Sequence, residues 1–394
     1  MGEVETWLRR LMWARGASAA GDGLWFTIWA LYFTRVAGLP PVAVGIAMAA
    51  AGGVGLAAAV PLGSLADRFD ARRVLAATTT LRGLAMACYP LAQGTWAFVL
   101  VTVLFAAPAN GGNAARTALL TGLVADDGER VAVLARQRVA QHVGYAAGAG
   151  VGALVLALDD PTAYHAAIAA NAVSFAVLTV VALRAPVPRR PTGRAASPLR
   201  DRPYLAVVGA TAVLSLCWAM LSTGVPLWTS RSLPLSLSGV LVVVSSVGVA
   251  LLQVPATRLA TTPSRAARTA AVSGAALAAA CVLLASSEVV GRPAGVVVVV
   301  LAGLLHLAGE LGYVVASWRL SLALMREESR GAYQGVSEAA TATVQMVGPA
   351  FFTVGLTALD AGGWLLAAAV FLAAGAAVPA LTRRAERSRE PSPA

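Results

Sequence analysis

Gly63-Ser64-Leu65-Ala66-Asp67-Arg68-Phe69-Asp70-Ala71-Arg72-Arg73 is an island of charge between two apolar runs, near 41 to 62 and 74 to 91. Each flanking run is about the length a helix needs to cross a bilayer, roughly 20 residues at 1.5 Å per residue. The same alternation continues along all 394 residues, of which 58% are hydrophobic and 12% charged. Globular chains carry about 45–50% apolar and about 25% charged residues, so the bilayer is the expected solvent for most of this chain. Reading outward from the island gives twelve spans, near 16 to 36, 41 to 62, 74 to 91, 96 to 122, 134 to 158, 162 to 184, 203 to 229, 237 to 257, 269 to 287, 294 to 318, 332 to 358 and 362 to 382.

All 30 basic residues are arginine. A P-loop needs a lysine on its phosphates and a Schiff-base enzyme needs an amine, so both chemistries are excluded. With a cytoplasmic N-terminus, 24 of the 30 arginines fall in alternating inside segments, and only Arg35, Arg231 and Arg292 fall outside. Arg82, Arg116 and Arg319 sit within or at the ends of spans. That asymmetry satisfies the positive-inside rule, implies an even number of crossings and puts both termini in the cytoplasm. It also accounts for the +11 charge without a nucleic-acid partner. Cys88, Cys217 and Cys281 lie singly in apolar runs, a pattern of small buried hydrophobes. Neither a metal nor any other cofactor is expected.

The one long connector, Arg184 to Pro203, is rich in Pro and Arg and reads as a linker between halves. Val60-Pro61-x-x-x-Leu65-Ala66 recurs as Val254-Pro255-x-x-x-Leu259-Ala260, each at the end of the second span of its half, as in parallel repeats. The expected organisation is a six-helix bundle over 1–184, a cytoplasmic linker over 185–202, a second six-helix bundle over 203–382 and a cytoplasmic tail over 383–394.

The opening island resembles the signature loop of the major facilitator superfamily, G-x-L-a-D-R-x-G-R-R, which lies between helices two and three. Asp70 and Ala71 stand where that pattern has Gly and a basic residue. The resemblance implies that Gly63 permits close helix approach. It also implies that Asp67, Arg68, Arg72 and Arg73 form cytoplasmic pairs that one transport state makes and another breaks, with Arg116 as the expected partner of Asp67. Gly144-x-x-x-Gly148-Ala149-x-x-Gly152 resembles the family's antiporter motif with Ala in place of Pro; as plain packing, it is a smooth stripe for a neighbouring helix. His306 to Glu310, Arg330 to Val336 and Gln345-Met346-Val347-Gly348-Pro349 look like the tenth and eleventh helices of actinobacterial drug-efflux members. The family's fold, two six-helix halves without catalytic chemistry, is therefore expected here.

A charge inside a span costs about 2.5–3.5 kcal/mol on insertion scales, so buried acids are the candidate functional groups. Asp22 lies about 9 Å into the first span, with Trp25, Phe26 and Trp29 on its face, an arrangement suited to a cationic or planar amphipathic substrate. Glu310 is the deepest acid, with His306 one turn before it and Tyr313 and Ser317 continuing its face. A His and a Glu one turn apart can pass a proton. Glu338, in the first turns of the eleventh span, reads either as a site acid or as a partner of the helix dipole. Gln141 and Tyr145 share a stripe of the fifth span that either lines a cavity or packs between helices. Trp218, Ser222 and Gln253 are similar cases.

The leading expectation is proton-coupled efflux of a small amphipathic molecule by alternating access, in a monomer of the bacterial plasma membrane, with protons and lipid as the other partners. Uniport or proton symport on the same fold is the nearest rival. A membrane enzyme or a transport-incompetent sensor fits less well. Asp126-Asp127 and Asp159-Asp160 lack further metal-ligand spacing, and a sensor needs no acid at mid-depth.

Overall fold

The computed structural model describes residues 2–92, 94–158, 160–187, 197–232, 236–287 and 289–389. The middle of the expected linker, the end of the tail and Asp159 lie outside them. Every regular element among the described residues is helical. The chain runs α1 (Glu3–Leu31, extended by a π turn over Tyr32–Val36), α2 (Pro41–Phe69), α3 (Ala71–Cys88), α4 (Thr95–Leu123), α5 (Asp127–Leu158) and α6 (Pro161–Leu183). A broken α7 follows (Arg202–Val213, Leu216–Ala219, Met220–Gly224 and Val225–Ser232), then α8 (Ser236–Ala256), α9 (Pro263–Ser286), α10 (Arg292–Leu324), α11 (Arg330–Leu359) and α12 (Ala361–Arg387).

Ten of these are long and apolar enough to cross a membrane. The two that fall short are α1, which carries Glu3, Glu5, Arg9, Arg10, Arg15 and Asp22, and α3, which carries Arg72, Arg73 and Arg82. α1 also starts 13 residues before the expected edge of the first span, at Glu3 rather than near 16, because its charged first turns remain good helix formers outside the apolar window.

Two compact units make up the chain, Met1–Ser197 with Arg326–Ala339, and Pro198–Met325 with Ala340–Ala394. The first unit thus takes its last segment, the start of α11, from far along the sequence. Within the first unit, α1 packs on α5 and α6, α2 on α4, and α3 on α4 and α6. Shifted by six, the second unit repeats much of this pattern: α7 on α12, α8 on α10, and α9 on α10 and α12. The repeated Val-Pro falls inside α2 at Pro61 and inside α8 at Pro255.

Glycine sets the closest approach. A Cβ on Gly144 would collide with the Gly16 carbonyl oxygen, one on Gly148 with that of Ala20, and one on Gly152 with Thr27. The stripe of α5 is therefore the surface on which α1 lies. The core of the first unit is aromatic: Trp25, Tyr32, Phe33, Tyr89, Phe98, Phe105 and Phe175 pack together and are buried.

Candidate functional site

In the second unit, Glu310 is buried near the middle of α10, roughly 27 Å from one end and 21 Å from the other by helical rise. Trp218 Nε1 donates to its Oε1 at 2.9 Å and Ser245 Oγ to its Oε2 at 3.2 Å. Tyr313, one turn on, sets its ring edge-on to Trp218 at 5.8 Å. His306, one turn before, is 2% exposed. Its Nε2 lies 2.8 Å from the Cys217 carbonyl oxygen, which can only accept, so Nε2 carries the hydrogen. The other ring nitrogen, Nδ1, is buried and has no partner; a second proton would sit there.

The break in α7 builds this arrangement. Pro226 cannot donate to the carbonyl four residues before it, and the turn ahead of it is wound as a π turn over Met220–Gly224. Leu214 and Ser215 form a turn, and the N–H groups of Cys217 and Trp218 bond to their carbonyls three residues back. The irregular stretch gives the Cys217 carbonyl a partner outside its own helix and swings Trp218 to Glu310. Gln253, on α8 with Ser245, is fully buried with neither amide atom bonded.

In the first unit, Asp22 lies 19 residues into α1 and pairs with Arg82 of α3 at 3.2 Å. The Arg82 guanidinium lies over Phe105 at 4.8 Å and Phe175 at 4.5 Å. The carboxylate expected to meet a cation is thus engaged by a guanidinium of the same unit. Trp25 stacks on Tyr89 at 4.8 Å inside the core and does not join Asp22 in an open aromatic wall, while Trp29 is partly buried at the core's edge. Phe26 faces Tyr145, their rings 6.5 Å apart; both are exposed, and Gln141 is partly buried. Glu338 takes a hydrogen bond from the Asn113 side chain and feels the charges of Arg116 and Arg15, so its neighbours are groups of α1 and α4 as well as its own helix.

Asp67 has partners other than the expected Arg116. Its Oδ1 accepts from the Gly331 N–H at 2.7 Å and its Oδ2 from the Ala332 N–H at 2.9 Å. The carboxylate thereby caps α11, whose first N–H groups have no intrahelical acceptor. Gly63 makes this possible: its own Cβ would strike the Gly331 carbonyl, and a Cβ on Gly335 would strike that of Ala59. Beside it, Glu327 pairs with Arg330 and, at 3.0 Å, with Arg130, whose Nε and Nη2 donate to the Val124 and Thr121 carbonyls. These residues border a cleft of about 660 Å³. Arg68 and Arg73 are exposed. Asp70, at φ +83°, accepts from the backbone N–H and the guanidinium of Arg72. Burial opposes its ionisation, but the hydrogen bonds from Arg72 and the charges of Arg72 and Arg73 hold its carboxyl below the usual range.

In the second unit a Cβ on Gly348 would meet Ala219, and the following Pro349 is exposed. Asp126 and Asp160 cap α5 and α6 through the N–H groups of Glu129 and Ala163. The sequence reading missed the Asp22–Arg82 pair and the Asn113 contact. Its available signal was Arg82 itself, a charge inside an apolar run that needs an acid close by.

The profile of the Major Facilitator Superfamily matches residues 11–349. None of the curated protein sequences matches the chain. Among solved structures, a bacterial homologue of the iron transporter ferroportin in the outward-facing state superposes with a TM-score of 0.75 at 16% identity, covering 97% of this chain and 99% of that one. The human organic anion transporter MFSD10 gives 0.69 at 14%, covering 96% and 100%. The E. coli fucose:proton symporter gives 0.67 at 15%, covering 96% and 98%. At such identities the likenesses speak to the fold alone. The profile match spans far more than half of the sequence and the fold agrees with it, so the chain belongs to the Major Facilitator Superfamily.

Proposed function

We propose that this chain is a secondary active transporter of the bacterial plasma membrane, with twelve crossings and cytoplasmic termini. It works as a monomer and moves a small amphipathic molecule outward in exchange for protons, by alternating access. The observation that carries the reading is the Glu310 group. A carboxyl 2% exposed in mid-helix, held by an indole N–H and a hydroxyl, with an unpartnered imidazole nitrogen one turn away, is an expensive arrangement for a protein that moves no charge. Proton exchange between Glu310 and His306 gives it a use. The Asp67 cap on α11 supports a cycle of states, since a carboxylate on two backbone N–H groups is a clasp that can be made and broken whole. Efflux is the direction taken by the drug-efflux members that the tenth and eleventh helices resemble.

Proteoliposomes loaded by an imposed pH gradient test the reading. Glu310→Gln is expected to keep its fold, its amide oxygen accepting from Trp218 Nε1 and its amide nitrogen donating to Ser245 Oγ, while gradient-driven accumulation of small amphipathic probes, ethidium and 2-naphthoate among them, falls to background. Unchanged coupling in that variant removes the proton-carrier role.

A further inference from the structure

Among the buried side-chain atoms of the first unit without a hydrogen-bond partner are four that can donate and that lie on or beside one face of α1: Arg15 Nε, Ser18 Oγ, Arg82 Nε and Arg116 Nε. Arg15, Ser18 and Asp22 are spaced three and four residues apart and share one face of α1, with Arg15 6% and Ser18 0% exposed. The charges of Arg116, Asp22, Arg82 and Glu338 all act on Arg15, and those of Glu338 and Arg82 act on Arg116. The group is therefore one electrostatic cluster of three guanidiniums and two carboxylates.

One of those carboxylates is already spent on Arg82. The other, Glu338, takes the Asn113 amide. What remains is net positive charge and unmet donors in a buried place. Burying a guanidinium without full pairing is costly, and the missing complement is an oxygen-rich anion, whose geometry suits a guanidinium fork.

We infer that Arg15, Arg82 and Arg116, with Ser18, form a recognition site for a small organic anion bearing a carboxylate or sulfonate. Asp22 competes with that anion for Arg82 and so tunes its affinity. That the anion is the cargo rests on the transport reading above; that it binds does not.

The test uses the full-length protein in detergent and three probes with one ring system, 2-naphthoate, naphthalene-2-sulfonate and 2-naphthylmethylammonium, at matched ionic strength. The two anions are expected to raise the melting temperature saturably and the ammonium to leave it unchanged. Arg116→Gln and Arg15→Gln each weaken the anion response by about tenfold or more. Asp22→Asn, although it removes an ion pair and lowers the starting melting temperature, strengthens the response because Arg82 is released. A stabilising ammonium with silent anions, or anion midpoints unmoved by the two arginine substitutions, overturns the inference. Should the arginine variants fail to fold, Asp22→Asn decides alone, and no tightening overturns it. Anion binding with gradient-driven transport intact in Glu310→Gln would remove the proton reading and leave this site standing. Coupled transport without anion binding would do the reverse.

Discussion

Asp70 occupies a backbone conformation that the family pattern assigns to glycine, at φ +83°. A side chain held there costs roughly 1–3 kcal/mol. The aspartate offsets it by capping α3 and clamping Arg72, whose Nη1 also donates to the Ala185 carbonyl. Asp70→Ala keeps the strain and loses both offsets, whereas Asp70→Gly loses the offsets and the strain together. The unfolding free energy in detergent is therefore expected to fall by about 1–2 kcal/mol for Ala, read as a lower melting temperature, and to change little for Gly. The acid arm has a definite sign. With its carboxyl held below the usual range, Asp70 contributes its full stabilisation above the unfolded value of about 4 and loses it as the pH falls through the lower folded value. The gap between wild type and Asp70→Ala should hold at neutral pH and close only in strong acid. The substitution was visible in the sequence as a departure from pattern. That the backbone keeps the glycine-like turn was not, because nothing in the sequence says that Arg72 repays it.

At the scale of elements, α5 shows what spacing alone can settle. Gly144, Gly148 and Gly152 announce a face without side chains, yet packing stripe and antiporter mark remained open because the partner helix was unnamed. The structure names α1, with carbonyls of Gly16 and Ala20 where Cβ atoms would be. Gly148→Ala should lower the yield of folded protein and its melting temperature, while Gly150→Ala, with nothing within 4 Å of its added carbon, leaves both unchanged. Equal behaviour of the two variants in fluorescence-detected size exclusion would remove the close-packing account. α7 is the opposite case. Its residues read as one uninterrupted span from 203 to 229, because hydropathy windows average over a turn or more and register no loss of two backbone bonds. The break at Leu214–Ser215 and the π turn at Met220–Gly224 bring Trp218 to Glu310, so the part of the candidate site least legible in the sequence is made by irregular backbone.

For the whole molecule, the legible features are those set by solvent. Apolar run length and the sidedness of arginine follow from transfer into lipid and from insertion, which act on each segment almost independently, so the fold class emerges from the sequence. Pairings such as Asp22 with Arg82, or Asp67 with the start of α11, depend on which helices meet and do not. The orientation built from arginine sidedness makes a strict prediction. In a background with Cys88, Cys217 and Cys281 replaced, single cysteines at Ala195 and Ser392 belong on the cytoplasmic side and one at Val289, 86% exposed, on the other. An impermeant maleimide applied to intact cells should label only the Val289 position, and to inverted vesicles only the other two. In that orientation the six arginines from Arg184 to Arg202 are what keeps the connector inside, each worth about 1 kcal/mol near an anionic leaflet, so replacing all six should weaken the sidedness far more than replacing any one. Labelling of Ala195 from outside the cell would break the even count of crossings, and the proposed transport cycle would fall with it.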